Sequence, residues 1–248
     1  MKLYKYRNLT EPMHLSQLRS ILKTQKFWCG EVASFNDDKE FAWDLNTETT
    51  EHTEELLAKI LTKQGNFPLE RNLEKSKASI KNGRSESIFS VLNKQMIKSC
   101  RQTLGLLCFS TSHNNPFLWE RYGDNYRGIC IELEVPSSVM DEQLKYVKYR
   151  DTKSIHIDQI LRAHLGDRTE LKNVYTMALA TKLRNTDDNW QEEGEVRFIA
   201  KIKEQLIRID GSEITRLILG NKIDPALKHR IKRIVKFLNC KWPIEDQI

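Results

Sequence analysis

Three short segments place small polar and charged residues at the ends of apolar runs, where a rigid scaffold would aim them at a ligand. Tyr4-Lys5-Tyr6-Arg7 ends in a guanidinium, a planar fork of donors that stays charged and suits a phosphate or a carboxylate. A surface Arg at a strand exit is the plainer reading. Cys108-Phe109-Ser110-Thr111-Ser112 ends in three hydroxyls and runs into His113-Asn114-Asn115-Pro116, a compact donor and acceptor set for a carboxamide or a ribose. The same residues also make a Ser/Thr turn or a helix N-cap ahead of Trp119 for purely local reasons. In Glu192-Glu193-Gly194-Glu195-Val196-Arg197, Glu193 and Glu195 share one side if the backbone is already extended. Two like charges on one face repel, which calls for a reason. One carboxylate orienting a nucleophile and a second binding a sugar hydroxyl or stabilising a cationic transition state would supply it. The alternative is a solvated acidic turn from Asp187-Asp188 onward, with Arg197 pairing Glu195.

A fourth feature is electrostatic. Between Lys222 and Lys241 there are seven Lys or Arg against the single acid Asp224. Lys228, Arg230, Lys232, Arg233 and Lys236 fall on a closing helix and are candidates for contact with nucleic acid. Because Ile231, Ile234, Val235 and Leu238 make an apolar stripe there, the cations are equally readable as its solvated face.

Other chemistries fit less well. Cys108 lies in an apolar run, and no motif ties any of the six His to a Cys. His14, His52, His113, His156, His164 and His229 are scattered without metal-ligand spacing, so no metal is expected. Phosphate-cradling glycine loops are absent. Five scattered cysteines without a Cys-x-x-Cys pair point away from a disulfide framework.

The elements that must hold these residues can be read from periodicity. Leu3 to Tyr6 reads as a first strand, Leu15, Leu18, Ile21 and Leu22 as an amphipathic helix, and Phe27-Trp28 as a second buried segment. Ser34 to Asp38 carries turn chemistry. Helices are expected over Glu51–Leu61 and Ile88–Cys100, around a breaker-rich candidate mobile loop containing Gly65, Pro68 and Lys81 to Ser85. Strands are expected at Leu104–Ser110 and Gly128–Leu133, with helical turns at Trp119–Tyr122 between them. An edge strand at Leu144–Tyr149, one helical stretch from Ile155 to Arg184, strands at Glu195–Ile202 and near Ile207, and a basic helix at Pro225–Leu238 complete the chain.

Helix first, strands later and mixed connections predict an α+β fold. The 248 residues are 39% apolar and 30% charged, the composition of a globular protein able to bury a core unaided. With no repeat, linker or boundary in sight, a single domain over 1–248 with a helical insertion at about 47–100 is expected. The first residues lack the apolar stretch of a secretion signal, and no window approaches a membrane span, so the expected place is the cytoplasm, with no membrane partner.

Arg on a first strand, Ser-Thr-Ser on a middle one and Glu-x-Glu at the start of a later one resemble, in that chain order, the signature of ADP-ribosyltransferases. The resemblance implies a split β-sheet core with flanking helices and NAD as substrate. It places Arg7 on the NAD phosphates or ribose and Ser110, Thr111 and Ser112 on the nicotinamide ribose. Glu195 becomes the catalytic glutamate and Glu193 the acceptor-side carboxylate, with Tyr4, Tyr6, Trp119 and Tyr122 as candidate aromatics of the cleft, although an aromatic in such a setting is more often core, the expected place of Trp119. Most of the chain is also similar to a bacterial domain family of unknown function often associated with defence loci. Tyr4-Lys5-Tyr6, Phe35-Asn36-Asp37, Cys108-Phe109-Ser110, Asn115-Pro116, Trp119-x-x-Tyr122, Gly128 to Glu132, Lys182, Trp190, Glu193-x-Glu195-x-Arg197 and Leu219-Gly220 carry that similarity. It departs from the pattern at Asp38, where Pro is usual, and at Arg121, where His is usual. Together they imply a toxin or antiphage defence effector that modifies a macromolecule, foremost DNA or RNA, and an antitoxin or other regulatory protein as a further partner. An NAD glycohydrolase and a non-catalytic nucleic-acid-binding or regulatory module are the alternatives.

Overall fold

A computed structural model describes residues 1–32, 41, 43–65, 67–183, 190–201 and 205–247. The turn expected at Ser34 to Asp38, the Phe35-Asn36-Asp37 motif and Asp187-Asp188 lie outside the described residues.

In chain order, β1 (Lys2–Arg7), α1 (Pro12–Thr24) and β2 (Phe27–Glu31) come first, followed by β3 (Asp44–Asn46) and three helices, α2 (Glu51–Lys63), α3 (Leu69–Lys81) and α4 (Ser85–Thr103). Next are β4 (Gly105–Ser110), α5 (Pro116–Arg121), β5 (Ile129–Glu134), α6 (Ser137–Glu142), β6 (Leu144–Tyr146), β7 (Lys148–Arg150) and β8 (Ser154–His156). Then α7 (Ile157–Leu165), α8 (Arg168–Ala180) and β9 (Thr181–Leu183) precede a 3-10 turn at Trp190–Glu193. The chain closes with β10 (Glu195–Ala200), β11 (Gln205–Ile207), β12 (Glu213–Leu219), α9 (Pro225–Phe237) and β13 (Ile244–Asp246).

Local chemistry sets several of these bounds. Asp224 accepts the Leu227 amide at 2.9 Å and Pro225 occupies the first turn, so α9 starts where an N-cap and a fixed φ coincide. The single helix expected from Ile155 to Arg184 is two, because Gly166 takes φ 100° and ends α7 while Asp167 caps α8. The candidate mobile loop is also corrected. Its middle is the helix α3, where buried Asn72 donates to the Thr62 hydroxyl and the Phe67 carbonyl, both at 2.9 Å. The edge strand expected at Leu144–Tyr149 is divided into β6 and β7. The strand β12 has no counterpart among the expected elements.

The chain forms two compact units. The first, residues 1–30, 105–147 and 184–248, holds a nine-stranded mixed sheet in the order β11-β2-β4-β1-β5-β12-β13, with β10 on β4 and β6 on β10. β4 is therefore a branch strand, bonded to β10, β1 and β2. One sheet face carries Leu3, Phe109, Ile129, Ile131, Leu133, Val196 and Leu217, and packs with Leu18, Ile21 and Leu22 of α1 and Ile231 and Val235 of α9. The other face carries Tyr4, Tyr6, Cys130 and Ile218, which pack with Leu118 and Trp119 of α5.

The second unit, residues 31–104 and 148–183, is mainly helical, built from α2, α3, α4, α7 and α8 with the parallel pairs β3–β8 and β7–β9. Its buried residues include Leu57, Ile60, Phe89, Leu92, Ile160, Leu161 and Val174. Buried Lys153 donates to the Ala178 carbonyl at 2.6 Å. Among the described residues, no helix of the chain is long and apolar enough to cross a membrane.

Candidate active site

One transverse row of the sheet collects most of the polar side chains of interest. Arg216 of β12 stands opposite Glu132 of β5, Glu132 opposite Tyr4 of β1, Tyr4 opposite Ser110 of β4, and Ser110 opposite Glu195 of β10. Residues directly across a ladder share a face, so all five project to the α5 side. Five strands thus contribute one residue each to the row, and the β4–β10 ladder puts Ser110 and Glu195 beside each other.

Glu193 and Glu195 are both buried, 3% and 7% exposed. They do not alternate along one strand, as an extended segment would require. Glu193 ends the 3-10 turn, and Gly194 turns the chain with φ +53° before β10 begins. A Cβ on Gly194 would lie 2.5 Å from the Thr111 Oγ1, and its carbonyl accepts the Thr111 amide at 3.0 Å. Glu195 takes two hydrogen bonds from Arg197, Nε to Oε1 at 2.7 Å and the terminal nitrogen to Oε2 at 3.0 Å. Arg197 itself is fully buried. This is the pairing anticipated as the alternative to a catalytic role.

The Ser110 hydroxyl donates to the Glu193 carbonyl at 2.6 Å and accepts the Ser112 amide at 3.2 Å. Ser112 in turn accepts the Asn114 amide, so local Ser turns do form here. Asn115 caps α5 and its side-chain amide donates to the Glu192 carbonyl. Tyr122 is 44% exposed and donates to Glu193 Oε1 at 3.3 Å. The exposed groups bordering the two carboxylates are therefore Tyr122, Thr111, Ser112 and Glu192.

The remaining aromatics are core. Tyr4 and Tyr6 are 6% and 7% exposed and Trp119 is fully buried. Tyr6 meets Trp119 edge-on at 5.2 Å, and Trp119 stacks on Tyr126 at 5.6 Å. The Tyr6 hydroxyl donates to the Ser112 carbonyl at 2.8 Å, and the Trp119 indole donates to the His113 carbonyl at 2.7 Å. These rings shape the loop that carries Ser110 to Ser112, and none is free to stack on a ligand.

Arg7 does not join the row. It lies three residues from Tyr4 on β1, and strand alternation turns it to the α1 face, away from Ser110 and Glu195. There its guanidinium donates to Gln17 Oε1 of α1 at 2.6 Å, and burial lowers its pKa. Lys5, on the same side of β1, donates to the Cys108 carbonyl at 2.8 Å. Burial pushes the Cys108 thiol far up, with the Glu195 charge adding to it, so this cysteine is a poor nucleophile.

Glu132 and Arg216 were not singled out by residue type. Glu132 is 2% exposed and accepts from Thr215 at 2.8 Å, Arg216 Nε at 3.0 Å and Lys2 at 3.1 Å. Burial raises its pKa, but the hydrogen bonds from Thr215, Lys2 and Arg216 and the Arg216 charge outweigh it, and the net direction is down. A β-bulge between Ile214 and Arg216 presents both Thr215 and Arg216 to this carboxylate. Arg216 also pairs with Glu245 at 2.8 Å, so its charge is shared between two carboxylates.

On α9, Arg230, Lys232, Arg233 and Lys236 are exposed, whereas Lys228 is held by Asp246 at 2.6 Å. Ile231 and Val235 are buried, so the cations do form the outer face of a packed helix. Comparisons with protein families, with curated proteins and with solved structures find no match for the chain.

Proposed function

We propose that the chain breaks the bond between nicotinamide and ribose in NAD and transfers ADP-ribose to a nucleic acid, working at the edge formed by Ser110, Glu193 and Glu195. One observation carries the reading: Ser110 stands directly opposite Glu195 on the neighbouring antiparallel strand, and its hydroxyl bonds to the backbone of Glu193. A carboxylate oriented by a buried guanidinium suits a reaction in which positive charge develops on a sugar. In this scheme Glu195 holds its charge beside the ribose, and the bond from C1′ to the nicotinamide nitrogen breaks with its electron pair leaving on nicotinamide. The acceptor's lone pair forms the new bond at C1′, and Glu193 takes the acceptor's proton. Tyr122, hydrogen-bonded to Glu193, borders the approach as the exposed aromatic.

The fit is partial. Ser110, Glu193, Glu195 and Tyr122 suit the ribose and nicotinamide end. Arg7 does not suit the phosphates, because it belongs to the other sheet face, and no phosphate contact is assigned to it. The split-sheet expectation draws support from the branching of the ladder at β4.

Nicotinamide release by the wild type and by Glu195→Gln, with DNA, RNA or cell lysate as acceptor, tests the reading. The expected loss in the variant is about 100-fold or more. Because Glu195 is a partner of buried Arg197, the folded fraction must be read in parallel, and Glu193→Gln provides a second variant outside that pair. A folded Glu195→Gln protein with undiminished turnover would overturn the assignment. The bidentate Glu195–Arg197 pair favours a second reading, in which the carboxylate is structural and the chain is a nucleic-acid-binding module. Folded wild-type protein that releases no nicotinamide with any acceptor selects that reading.

A further inference from the structure

The first unit carries a basic surface made by two helices far apart in sequence. α1 and α9 together contain Arg19, Lys23, Lys228, Arg230, Lys232, Arg233 and Lys236, and neither helix contains an Asp or Glu. A solvated helix face ordinarily mixes both signs, so an acid-free pair of neighbouring helices marks a place for an anion. Between them lies a shallow cavity of about 430 Å³ lined by Ser16, Arg19, Ser20, Lys23 and Phe237.

Phe237 is the second observation. It is 74% exposed, and the Arg19 guanidinium lies over its ring at 5.1 Å from the centroid. At helical spacing Arg230, Arg233 and Phe237 share one side of α9, away from the buried Ile231 and Val235. Lys232 and Lys236 sit on the other flank. The cavity therefore combines the exposed Phe237 ring with two cations and two serine hydroxyls, and Arg230 and Arg233 continue the same side of α9 beyond it, the combination that binds unpaired nucleotides by stacking and phosphate contact.

We propose that the α1–α9 surface is a binding site for single-stranded nucleic acid, with Phe237 as the base-stacking platform and Arg19, Lys23, Arg230 and Arg233 as phosphate contacts. It rests on the acceptor half of the function proposed above and extends it, since α1 and Phe237 enter only through the tertiary structure. Single strands are favoured over duplex because a base must be unstacked to lie on the ring.

Fluorescence anisotropy with labelled oligouridine and oligothymidine, in a salt series and without NAD, tests the site. The wild type is expected to bind both, more weakly as salt rises, and more tightly than a labelled duplex. Phe237→Ala should weaken binding about tenfold, while Phe237→Tyr should retain it. Arg19→Ala with Lys23→Ala should reduce the salt slope by about two, and Lys232→Ala with Lys236→Ala should have a smaller effect. Phe237 is exposed, so its variants should fold, as circular dichroism will verify. Equal binding by Phe237→Ala and wild type, a preference for duplex, or binding to phosphatidylserine vesicles but not to oligonucleotides would each overturn the site. The assay contains no NAD, so its failure leaves the NAD-consuming reading to its own experiment.

Discussion

Glu132 shows what single residues contribute here. The carboxylate is buried among three polar partners, Thr215, Arg216 and Lys2, and its pKa is held below the ordinary carboxylate value because the hydrogen bonds and the Arg216 charge exceed the cost of burial. A carboxylate with a lowered folded pKa stabilises the fold above its unfolded value, roughly pH 4.3, and that contribution is lost as pH falls through the folded value. Glu132→Gln is therefore expected to cost about 3 kcal/mol at neutral pH, read from urea midpoints, with the gap to wild type narrowing under acid. An unchanged midpoint at neutral pH would mean that the network adds nothing net. His113 works in the same direction: burial and then Arg216 lower its pKa, so protonating it below about pH 6.5 also opposes folding. The outcome for Arg7 belongs to this scale too, since one step of strand alternation decides which face a side chain serves.

At the scale of elements, the turn between the two carboxylates depends on a residue that tolerates positive φ. Gly194 sits at φ +53° with the Thr111 hydroxyl where a Cβ would be. Gly194→Ala is expected to lower stability by about 1–2 kcal/mol, and Thr111→Ala in the same chain should relieve the steric part but not the backbone part. Thermal melts of the two single variants and the double give the coupling directly. If Gly194→Ala melts as the wild type does, the turn is not under this constraint. The same reasoning explains β12. Its bulge breaks the alternation, so Ile214 and Leu217, three residues apart, both face the α1 side. A strand whose apolar residues do not recur at every second position cannot be read from periodicity.

Over the whole molecule, the first unit draws its sheet from three separated stretches of chain, and the strands at its centre come from different stretches. β5 lies between β1 and β12, so removing residues 213–248 would strip β5 of one ladder and the α1-side core of Ile231 and Val235. That truncation is expected to abolish cooperative unfolding of the first unit and to expose dye-binding apolar surface, measured by melting curves and by binding of a hydrophobic fluorophore. A truncated chain that melts cooperatively at the wild-type temperature would show that residues 213–248 are dispensable to the sheet. Bonds within β-ladders reach across long loops, so a late segment is integral to the fold.

The sequence by itself determined the mixed α+β character, the existence of β1, β4, β5 and β10, most helices, and the residue types Ser110, Glu193 and Glu195 that now stand together. These follow from local physics: apolar period, capping residues and the β-rich runs that end in polar side chains. It also carried the Glu195–Arg197 pair as an open alternative, because two residues on one strand are neighbours whatever the fold. Tertiary packing was needed to show that Arg7 turns away, that Tyr4 and Tyr6 are core as Trp119 was expected to be, that Glu132 and Arg216 complete the polar row, and that α1 meets α9 to frame Phe237. Each of those is set by strand register or by helix docking, contacts between residues often a hundred or more positions apart, which no local pattern encodes.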